Sequence, residues 1–344
     1  MNSEDIINVC LAEGFAQAGI ASATCSDYID EFKQWLADGK HGEMGWLEKN
    51  VSMRLNPQVL LGGARSVVCV ADRYGALQDN LNKPNSGKIA RYARGSDYHK
   101  VMKKRLHYIC DSLQKHFPEE SFRACVDTAP VMEREFSARA GIGSIGKHTL
   151  LLDQGVGSWF LLGVIVTTAK LQPNMRVTND PCSTCTRCID SCPTDALTPW
   201  HLDARRCVSY LTIEHRTIID PEFFEGIGHW LFGCDVCQEV CPHNQLTDKK
   251  ENISINPEYS AKIHSLNILE VMFWDEKQRR EAFRGSSMKR AKLGMIRRNA
   301  IIVAGNILRN QDNSELRSAV KKIAAIEEDE LVKRTAEEVL KQLD

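Results

Sequence analysis

The chain has 344 residues, of which 43% are hydrophobic and 26% charged, and its formal net charge of −1 indicates no class of partner. This composition is that of an ordinary soluble globular protein, and the length allows two or three domains. The acidic amino terminus lacks the basic region of a signal peptide, and the longest apolar run, 159–166, is too short to cross a bilayer.

The first 170 residues mix helical and strand-like patterns. Apolar residues at helical spacing predict a helix over 4–18 that Gly19 ends, and a second helix that Ser26 caps. The other predicted elements here are strands over 66–73, 121–127 and 157–167, helices over 98–116 and 130–140, and a loop over 74–88. We therefore predict an α/β domain over 1–170.

Two segments of this domain carry candidate catalytic side chains. Asp127 follows a predicted strand, where a carboxylate either caps a helix or, with its pKa raised by burial, acts as a site acid. His99 lies in a D-x-H-x-x-G-like segment, a cobalamin signature, but Met102 replaces the glycine. That substitution argues against a histidine that coordinates cobalt from below.

The glycine-rich segment 141–148 satisfies G-x-G-x-x-G and nearly satisfies the P-loop pattern, which fails at His148. Both motifs require a preceding strand, whereas the sequence before these glycines is helical. We therefore favour a tight loop at which the backbone approaches a large ligand. Lys147 then either contacts a phosphate or is solvated.

Eight of the thirteen cysteines lie within 182–241. Cys182, Cys185, Cys188 and Cys192 have the spacing C-x₂-C-x₂-C-x₃-C before a proline, typical of bacterial ferredoxins, in which the fourth cysteine binds the other cluster. The pattern predicts two [4Fe–4S] clusters over 171–250, one held by Cys182, Cys185, Cys188 and Cys241 and the other by Cys192, Cys207, Cys234 and Cys237. Zinc is the alternative, and disulfides are disfavoured. Cys10, Cys25, Cys69, Cys110 and Cys125 are predicted to be core thiols.

Residues 255–344 have helical spacing throughout and predict a helical-repeat module. Within 279–298 there are eight Lys or Arg residues and one acidic residue. Such a stripe is either a solvated helix face or a contact for a nucleic-acid backbone. Lys289, Arg290, Arg297 and Arg298 are the candidate contacts.

Several segments together resemble the epoxyqueuosine reductase family of queuosine tRNA modification. They are 41–46, 62–67, 90–99, 127–135, 138–150, 157–160, 207–214 and 297–300, together with the eight cysteines. The resemblance implies an oxidoreductase that reduces epoxyqueuosine to queuosine at the tRNA wobble position. It also implies a reductive-dehalogenase-like cobalamin domain without a lower histidine ligand, two [4Fe–4S] clusters as electron path, and HEAT-like helices that grip the anticodon stem-loop.

The resemblance assigns the proton donor to Asp127 and cobalamin contacts to Arg54, His99, Asp127, Lys147, Trp159 and Ser209. It further implies tRNAs with GUN anticodons, an external electron donor such as a flavodoxin or ferredoxin system, and a cytoplasmic monomer without membrane contact. Two rival functions stay open: a dehalogenase-like reductase of small molecules, and an RNA-binding iron–sulfur electron carrier without catalysis of its own. The basic stripe disfavours the first, and the large α/β domain disfavours the second.

Overall fold

The computed structural model describes residues 1–75, 84–248 and 255–344. Its strands are β1 (Gln17–Ser22), β2 (Ser66–Arg73), β3 (Ser86–Ile89), β4 (Phe122–Cys125), β5 (Ser144–Ile145), β6 (Leu151–Leu152), β7 (Phe160–Thr167), β8 (Leu197–Thr198), β9 (His201–Leu202), β10 (Trp230–Phe232) and β11 (Ser265–Asn267). Its helices are α1 (Ser3–Ala12), α2 (Ile29–Ala37), α3 (Val51–Leu55), α4 (Pro57–Leu60), α5 (Tyr98–His116), α6 (Glu133–Arg139), α7 (Arg187–Asp190), α8 (Val208–Ile213), α9 (Phe224–Ile227), α10 (Val236–Glu239), α11 (Pro242–Asp248), α12 (Ile268–Met272), α13 (Glu276–Ala282), α14 (Leu293–Asn310), α15 (Ser314–Ile326) and α16 (Glu330–Lys341).

An antiparallel sheet of order β1-β2-β7-β4 forms the centre of the amino-terminal region. Every residue of β2 is buried, because successive side chains of a strand point to opposite faces and both faces are covered. Val68 and Val70 pack in the core that includes α1 and α5, whereas Val67 and Cys69 pack in the core that includes α6. The predicted α/β class, the strand over 66–73 and the helix over 98–116 are confirmed.

The predicted helix over 4–18 is wrong beyond Ala12, because residues Gln17–Ser22 form β1. Gly14 has a φ of +89°, a left-handed conformation that glycine tolerates and that ends the helix. Gly19 is a strand residue in close packing, since a Cβ there would lie 2.3 Å from the Ala140 carbonyl oxygen. The predicted cap is also wrong: α2 begins at Ile29, and the Ser26 hydroxyl donates to Glu135 Oε2 at 2.5 Å.

A second sheet, of order β10-β3-β11, takes one strand from each of the three predicted segments. A large apolar core continues from this sheet into the carboxyl-terminal helices and includes Ile89, Phe232 and Ile301. The proposed borders near 170 and 250–255 therefore mark changes in the character of the chain, while packing continues across them. The strand β11 corrects the expectation that 255–344 contains no strand.

The predicted helical module at the carboxyl terminus is confirmed by α12 to α16. Its longest helix, α14, is buried along most of its length and contacts α12, α16 and β10. Among the described residues, no helix combines the length and the apolar character that a membrane span requires.

Candidate functional site

A cavity of about 350 Å³ lies between the central sheet and the cysteine-rich segment. Phe160, Leu161 and Leu162 of β7 contribute one part of its lining. Tyr74, Tyr92 and Tyr98 contribute aromatic surface, and Ser209 at the start of α8 adds a hydroxyl. The remaining lining that matters for chemistry is a group of four cysteines: Cys192, Cys207, Cys234 and Cys237.

These four cysteines influence one another in the structure. Burial and then the neighbouring Cys207 and Cys192 raise the pKa of the Cys234 thiol. Burial, Cys234 and Cys207 likewise raise the pKa of Cys237. Burial raises the pKa of Cys207, and Cys192 adds to that effect, whereas the backbone amides of Tyr210 and Ser209 at the start of α8 act against it. The group predicted for the second cluster is therefore brought together at the cavity wall.

The other four cysteines form a neighbouring group. Burial, together with Cys182, Cys241 and Cys185, raises the pKa of the Cys188 thiol to about 11. Cys188 is also a weaker influence on Cys237 of the second group, so the two groups adjoin. In the described parts of the chain, no three His, Cys, Asp or Glu side chains converge on a position for a single metal ion. An iron–sulfur cube holds its ligands further apart than one ion does.

Lys147 lies beside the first cysteine group and is turned away from the cavity. Its backbone amide donates to Cys182 Sγ at 3.3 Å, and its Nζ donates to the carbonyls of Ser183 at 2.6 Å and Cys185 at 3.1 Å. The Lys147 amine is engaged by the backbone of the 182–185 loop, and its cobalamin contact stays a prediction. The glycine-rich segment contains the short strand β5, which pairs with β6, so the expectation of a loop holds only for its ends. Helix α6 precedes the segment, which disagrees with a nucleotide-binding motif.

A chain of polar contacts extends from Asp127 into the protein. Asp127 Oδ2 lies 2.8 Å from His99 Nε2, and His99 Nδ1 lies 2.8 Å from Asp97 Oδ1. Asp97, in turn, accepts a hydrogen bond at Oδ2 from Lys289 Nζ at 2.5 Å. The Tyr98 ring stacks on His99 with 4.0 Å between centroids, and Tyr98 lines the cavity.

The charges along this chain follow from its geometry. Burial alone would lower the pKa of His99, but hydrogen bonds to Asp127 and Asp97 outweigh it and raise the pKa to about 9. Burial acts to raise the pKa of Asp127, yet the hydrogen bond from His99 leaves it lowered. The expectation that Asp127 has a raised pKa is therefore wrong, because the hydrogen bond from His99 outweighs the effect of burial. At neutral pH the proton shared by Asp127 and His99 resides on His99.

The backbone of Asp127 has a φ of +47°, a strained conformation of the kind found at functional sites. Its side chain is 53% exposed, at the edge of a crowded pocket. Glu133 lies beneath this turn, and burial and the nearby Asp127 raise its pKa to about 8. Arg54 is buried nearby and donates to the Val131 carbonyl at 3.5 Å.

Two further residues, Trp159 and His148, lie at or behind the wall of the cavity. Trp159 is fully buried behind the wall, with the Arg91 guanidinium 4.4 Å from its ring centroid. His148 lines the cavity and is 3% exposed, and burial lowers its pKa to about 4. Its Nδ1 accepts from the Leu150 amide at 3.2 Å, so the neutral ring carries its proton on Nε2. Within the described residues, that Nε2 and Trp159 Nε1 have no hydrogen-bond partner.

The basic stripe is only partly available to a partner. Arg298 is fully buried and donates to the carbonyls of Leu211, His215 and Thr217. These hydrogen bonds fix α14 to α8 and to the segment that follows it. Arg297 is largely buried and forms an ion pair with Glu327. The predicted RNA contacts of Arg297 and Arg298 are therefore corrected. Lys289 and Arg290 stay near the site, paired with Asp97 and Glu214.

Sequence reasoning did not identify Asp97, Tyr98 and Glu133 as members of the site. The contiguous Asp97-Tyr98-His99 segment at the start of α5 was a usable signal, because Asp97 caps the helix and also orients the histidine. Glu133 lies in the first turn of α6, where a glutamate is ordinary. Its burial beside a second carboxyl group becomes visible only in three dimensions.

Two family models match the chain. The model described as epoxyqueuosine reductase QueG, DUF1730 matches residues 54–128, and the model of a 4Fe-4S double cluster binding domain matches residues 181–244.

Curated relatives match over most of their length. The epoxyqueuosine reductase of Xanthomonas campestris pv. campestris is 37% identical over 307 residues, with 87% of this chain and 85% of the relative covered. The Vibrio cholerae serotype O1 enzyme of the same name is 36% identical, with coverages of 85% and 80%, and that of Escherichia coli K12 is 35% identical, with coverages of 85% and 78%.

Solved structures of epoxyqueuosine reductases align with this chain over almost its whole length. A selenomethionine-labelled epoxyqueuosine reductase aligns with a TM-score of 0.84 at 25% identity and covers 99% of this chain and 98% of its own. An epoxyqueuosine reductase with an epoxyqueuosine-modified tRNA-Tyr stem loop aligns with a TM-score of 0.82, also at 25% identity and with the same coverages.

Proposed function

The chain belongs to the epoxyqueuosine reductase family, and on that basis we propose that it reduces epoxyqueuosine to queuosine at the wobble position of tRNA. The overall change consumes two electrons and two protons, removes the epoxide oxygen as water and leaves a carbon–carbon double bond. A site for this reaction needs an electron path and a proton donor that meet at one cavity.

One observation carries the proposal: four cysteines line a cavity that Tyr98 connects to the Asp127–His99 pair. Cys192, Cys207, Cys234 and Cys237 are part of its lining, and so is Tyr98, whose ring stacks on His99. Electron delivery and proton delivery are thereby directed to one region of the protein. A plain electron carrier needs no such acid, and this disfavours the rival without catalysis.

The cavity residues fit a cobalamin. A large corrin ring requires apolar walls with a few hydrogen-bond donors, and the β7 residues, the tyrosines and the unpaired His148 Nε2–H supply these. Ser209 adds a hydroxyl at the cavity. Both nitrogens of His99 are engaged by carboxylates, in agreement with a cofactor that has no lower histidine ligand. When bound, cobalamin supplies the strongly reducing metal centre that no side chain provides.

We assign the two cysteine groups to two [4Fe–4S] clusters. The mutual influence of Cys182, Cys185, Cys188 and Cys241 supports the first set, and that of Cys192, Cys207, Cys234 and Cys237 the second. The second group lines the cavity, so a cluster that it held would supply electrons beside the cofactor. A cluster held by the first group would accept electrons from an external donor such as a flavodoxin or ferredoxin.

The proton for the epoxide oxygen comes through Asp127. At neutral pH, His99 carries a proton held between Asp127 and Asp97. His99 passes it to Asp127, which donates it to the departing oxygen and is recharged through the same pair. Asp97 holds the imidazole in orientation and is itself held by Lys289. Asp127 is the catalytic acid, and Asp97 and Lys289 are positioning residues.

The substrate is tRNA with a GUN anticodon, and its loop presents the modified base in single-stranded form. Lys289 and Arg290, at the edge of the helical module, lie close enough to the site to meet RNA phosphates near that base. We further propose that the enzyme acts as a cytoplasmic monomer.

The test uses anaerobically reconstituted protein with iron, sulfide and cobalamin, and an epoxyqueuosine-containing anticodon stem-loop. Wild type is expected to form queuosine, whereas Asp127→Asn is expected to lose at least 100-fold in rate while it keeps its iron, cobalamin and RNA affinity, as general acids typically contribute about 10²–10⁴-fold. About eight irons per chain follow from two [4Fe–4S] clusters. Cobalamin uptake without any epoxide reduction would refute the proposed function.

A further inference from the structure

An exposed tryptophan stands beside the mouth of the site. Trp46 is 39% exposed, an unusual degree for so large an apolar side chain. Two guanidinium groups adjoin its ring: that of Arg54 lies 5.6 Å from the ring centroid and that of Arg290 5.9 Å away. Both distances are within the range of a cation–π contact. We call this arrangement of Trp46, Arg54 and Arg290 the Trp46 platform.

The loop that carries Trp46 is held by contacts with α8 and with the segment that follows it. Gly42 has a φ of +59°, and a Cβ there would lie 2.3 Å from the Tyr210 hydroxyl, so that only glycine fits. The Glu43 amide donates to the same hydroxyl at 2.6 Å. The Glu43 carboxylate accepts from the Arg216 amide at 2.6 Å and from the Thr217 hydroxyl at 2.7 Å. The tryptophan is thus presented on a fixed loop and needs little ordering on binding.

Both arginines connect the platform to the catalytic acid. The Arg290 guanidinium is among the groups that lower the pKa of Asp127, after His99 and Tyr98. Asp127 acts to raise the pKa of Arg54, although burial, the larger influence, lowers it. Trp46 itself is not among the residues that line the cavity in the described structure. The platform therefore lies beside Asp127, and Trp46 is outside the lining of the cavity.

We propose that Trp46 is a stacking platform for an unpaired nucleobase of the anticodon loop that neighbours the base entering the cavity. This inference rests on the proposed function, because it takes RNA as the substrate. Stacking on an aromatic ring is a general way to bind an unstacked base, since every base has a π face. The Arg290 guanidinium, which is also paired with Glu214, is partly exposed beside the ring and suits a phosphate next to such a base, whereas Arg54 is buried.

The platform solves a specific problem of the reaction. A base that enters an enclosed cavity loses its stacking on both neighbours in the loop. An aromatic surface at the entrance replaces one of those contacts and so holds the loop open in the productive register. Base stacking on an aromatic side chain typically contributes about 1–3 kcal/mol, which corresponds to roughly 5- to 150-fold in affinity.

The experiment measures binding of fluorescently labelled anticodon stem-loop RNA by anisotropy to cobalamin- and cluster-loaded protein. The variants are Trp46→Ala and Trp46→Phe, and the matched control is Tyr108→Ala, an aromatic residue that is 65% exposed on α5. We expect Trp46→Ala to weaken binding roughly 5- to 150-fold, Trp46→Phe to weaken it less, and Tyr108→Ala to leave it unchanged. Because stacking releases no counterions, the salt dependence of Kd stays the same in Trp46→Ala.

Abasic substitutions, made one at a time through the loop, identify the stacked base. At one position the abasic RNA should bind wild type as weakly as the intact RNA binds Trp46→Ala, and should cause no further loss in that variant. Equal affinities of wild type and Trp46→Ala would overturn the inference. So would additive losses at every abasic position, or loss of cobalamin uptake in Trp46→Ala, which would make Trp46 a structural residue. Failure of the proposed function is seen separately, as RNA binding by wild type without epoxide reduction.

Discussion

The pH dependence of the reaction provides a direct test of the Asp127–His99–Asp97 chain. Two carboxylates raise the pKa of His99 from 6.5 to about 9. At 1.36 kcal/mol per unit, this shift amounts to roughly 3.4 kcal/mol in favour of the protonated imidazole. That stabilisation is complete below about pH 6.5 and is lost as the pH rises through about 9, because the folded protein then gives up the extra proton.

The perturbation is Asp97→Asn. This change removes one of the two carboxylates that hold the proton on His99, while the amide oxygen can still accept from Nδ1–H. If the two carboxylates contribute comparably, the basic limb of the activity profile moves down by about one pH unit. We expect kcat/KM at neutral pH to change little and activity above about pH 9 to fall about 10-fold relative to wild type.

The assay is single-turnover reduction of the epoxyqueuosine stem-loop by enzyme that has been reduced in advance, followed from pH 6 to 10. Pre-reduction removes the external donor from the measurement. Lys289→Met is the matched control, since it removes the other partner of Asp97 but leaves the carboxylate beside His99. In Lys289→Met, the decline of activity at high pH should occur at the same pH as in wild type or at a higher pH. An unchanged limb in a folded, cobalamin-loaded Asp97→Asn protein would refute the assignment of the proton to His99.

Three other predictions concern the clusters and the helical module. Cys241→Ser should abolish the signal of the first cluster, and Cys192→Ser that of the second, by electron paramagnetic resonance and iron analysis; the opposite assignment would contradict the crossed arrangement. Lys147→Met should make the reduction potential of the first cluster more negative in a redox titration and leave the second unchanged, because a positive charge stabilises the reduced cluster. Arg298→Met should lower the free energy of unfolding by about 3 kcal/mol, as three buried carbonyls lose their donor, whereas Arg280→Met on the surface should change it by under about 0.5 kcal/mol in denaturant titrations.

The parts of the fold that could be predicted are those with a strong local pattern. The apolar run of β2 and the amphipathic repeat of α5 were both predicted from their own residues. Strand β1 could not be predicted in this way, because Ile20 and its neighbours are fixed by pairing with β2, about fifty residues away. Its pattern alone continued the helical spacing of α1, and a non-local contact overrode that spacing.

The basic stripe shows a different limit of sequence reasoning. Arg297 and Arg298 were counted as surface charge because they belong to a run of basic residues. The structure instead directs Arg298 to the Leu211 carbonyl, 87 residues earlier in the chain, at 2.7 Å. Charge can be counted from a sequence, whereas burial depends on which carbonyl groups the fold leaves without a donor. The cluster ligands and cobalamin contacts stay predictions, although the spacing that motivated the cysteine assignment is informative by itself.

Asp97, the basic residues Lys289 and Arg290 and the helical module are physically continuous. Lys289 and Arg290 lie just before α14, and they contact Asp97 of the proton path and Glu214 after α8. Arg298, one turn into α14, fixes the same segment through buried hydrogen bonds. In this arrangement, a residue just before α14 holds Asp97, the carboxylate that lies 2.8 Å from His99.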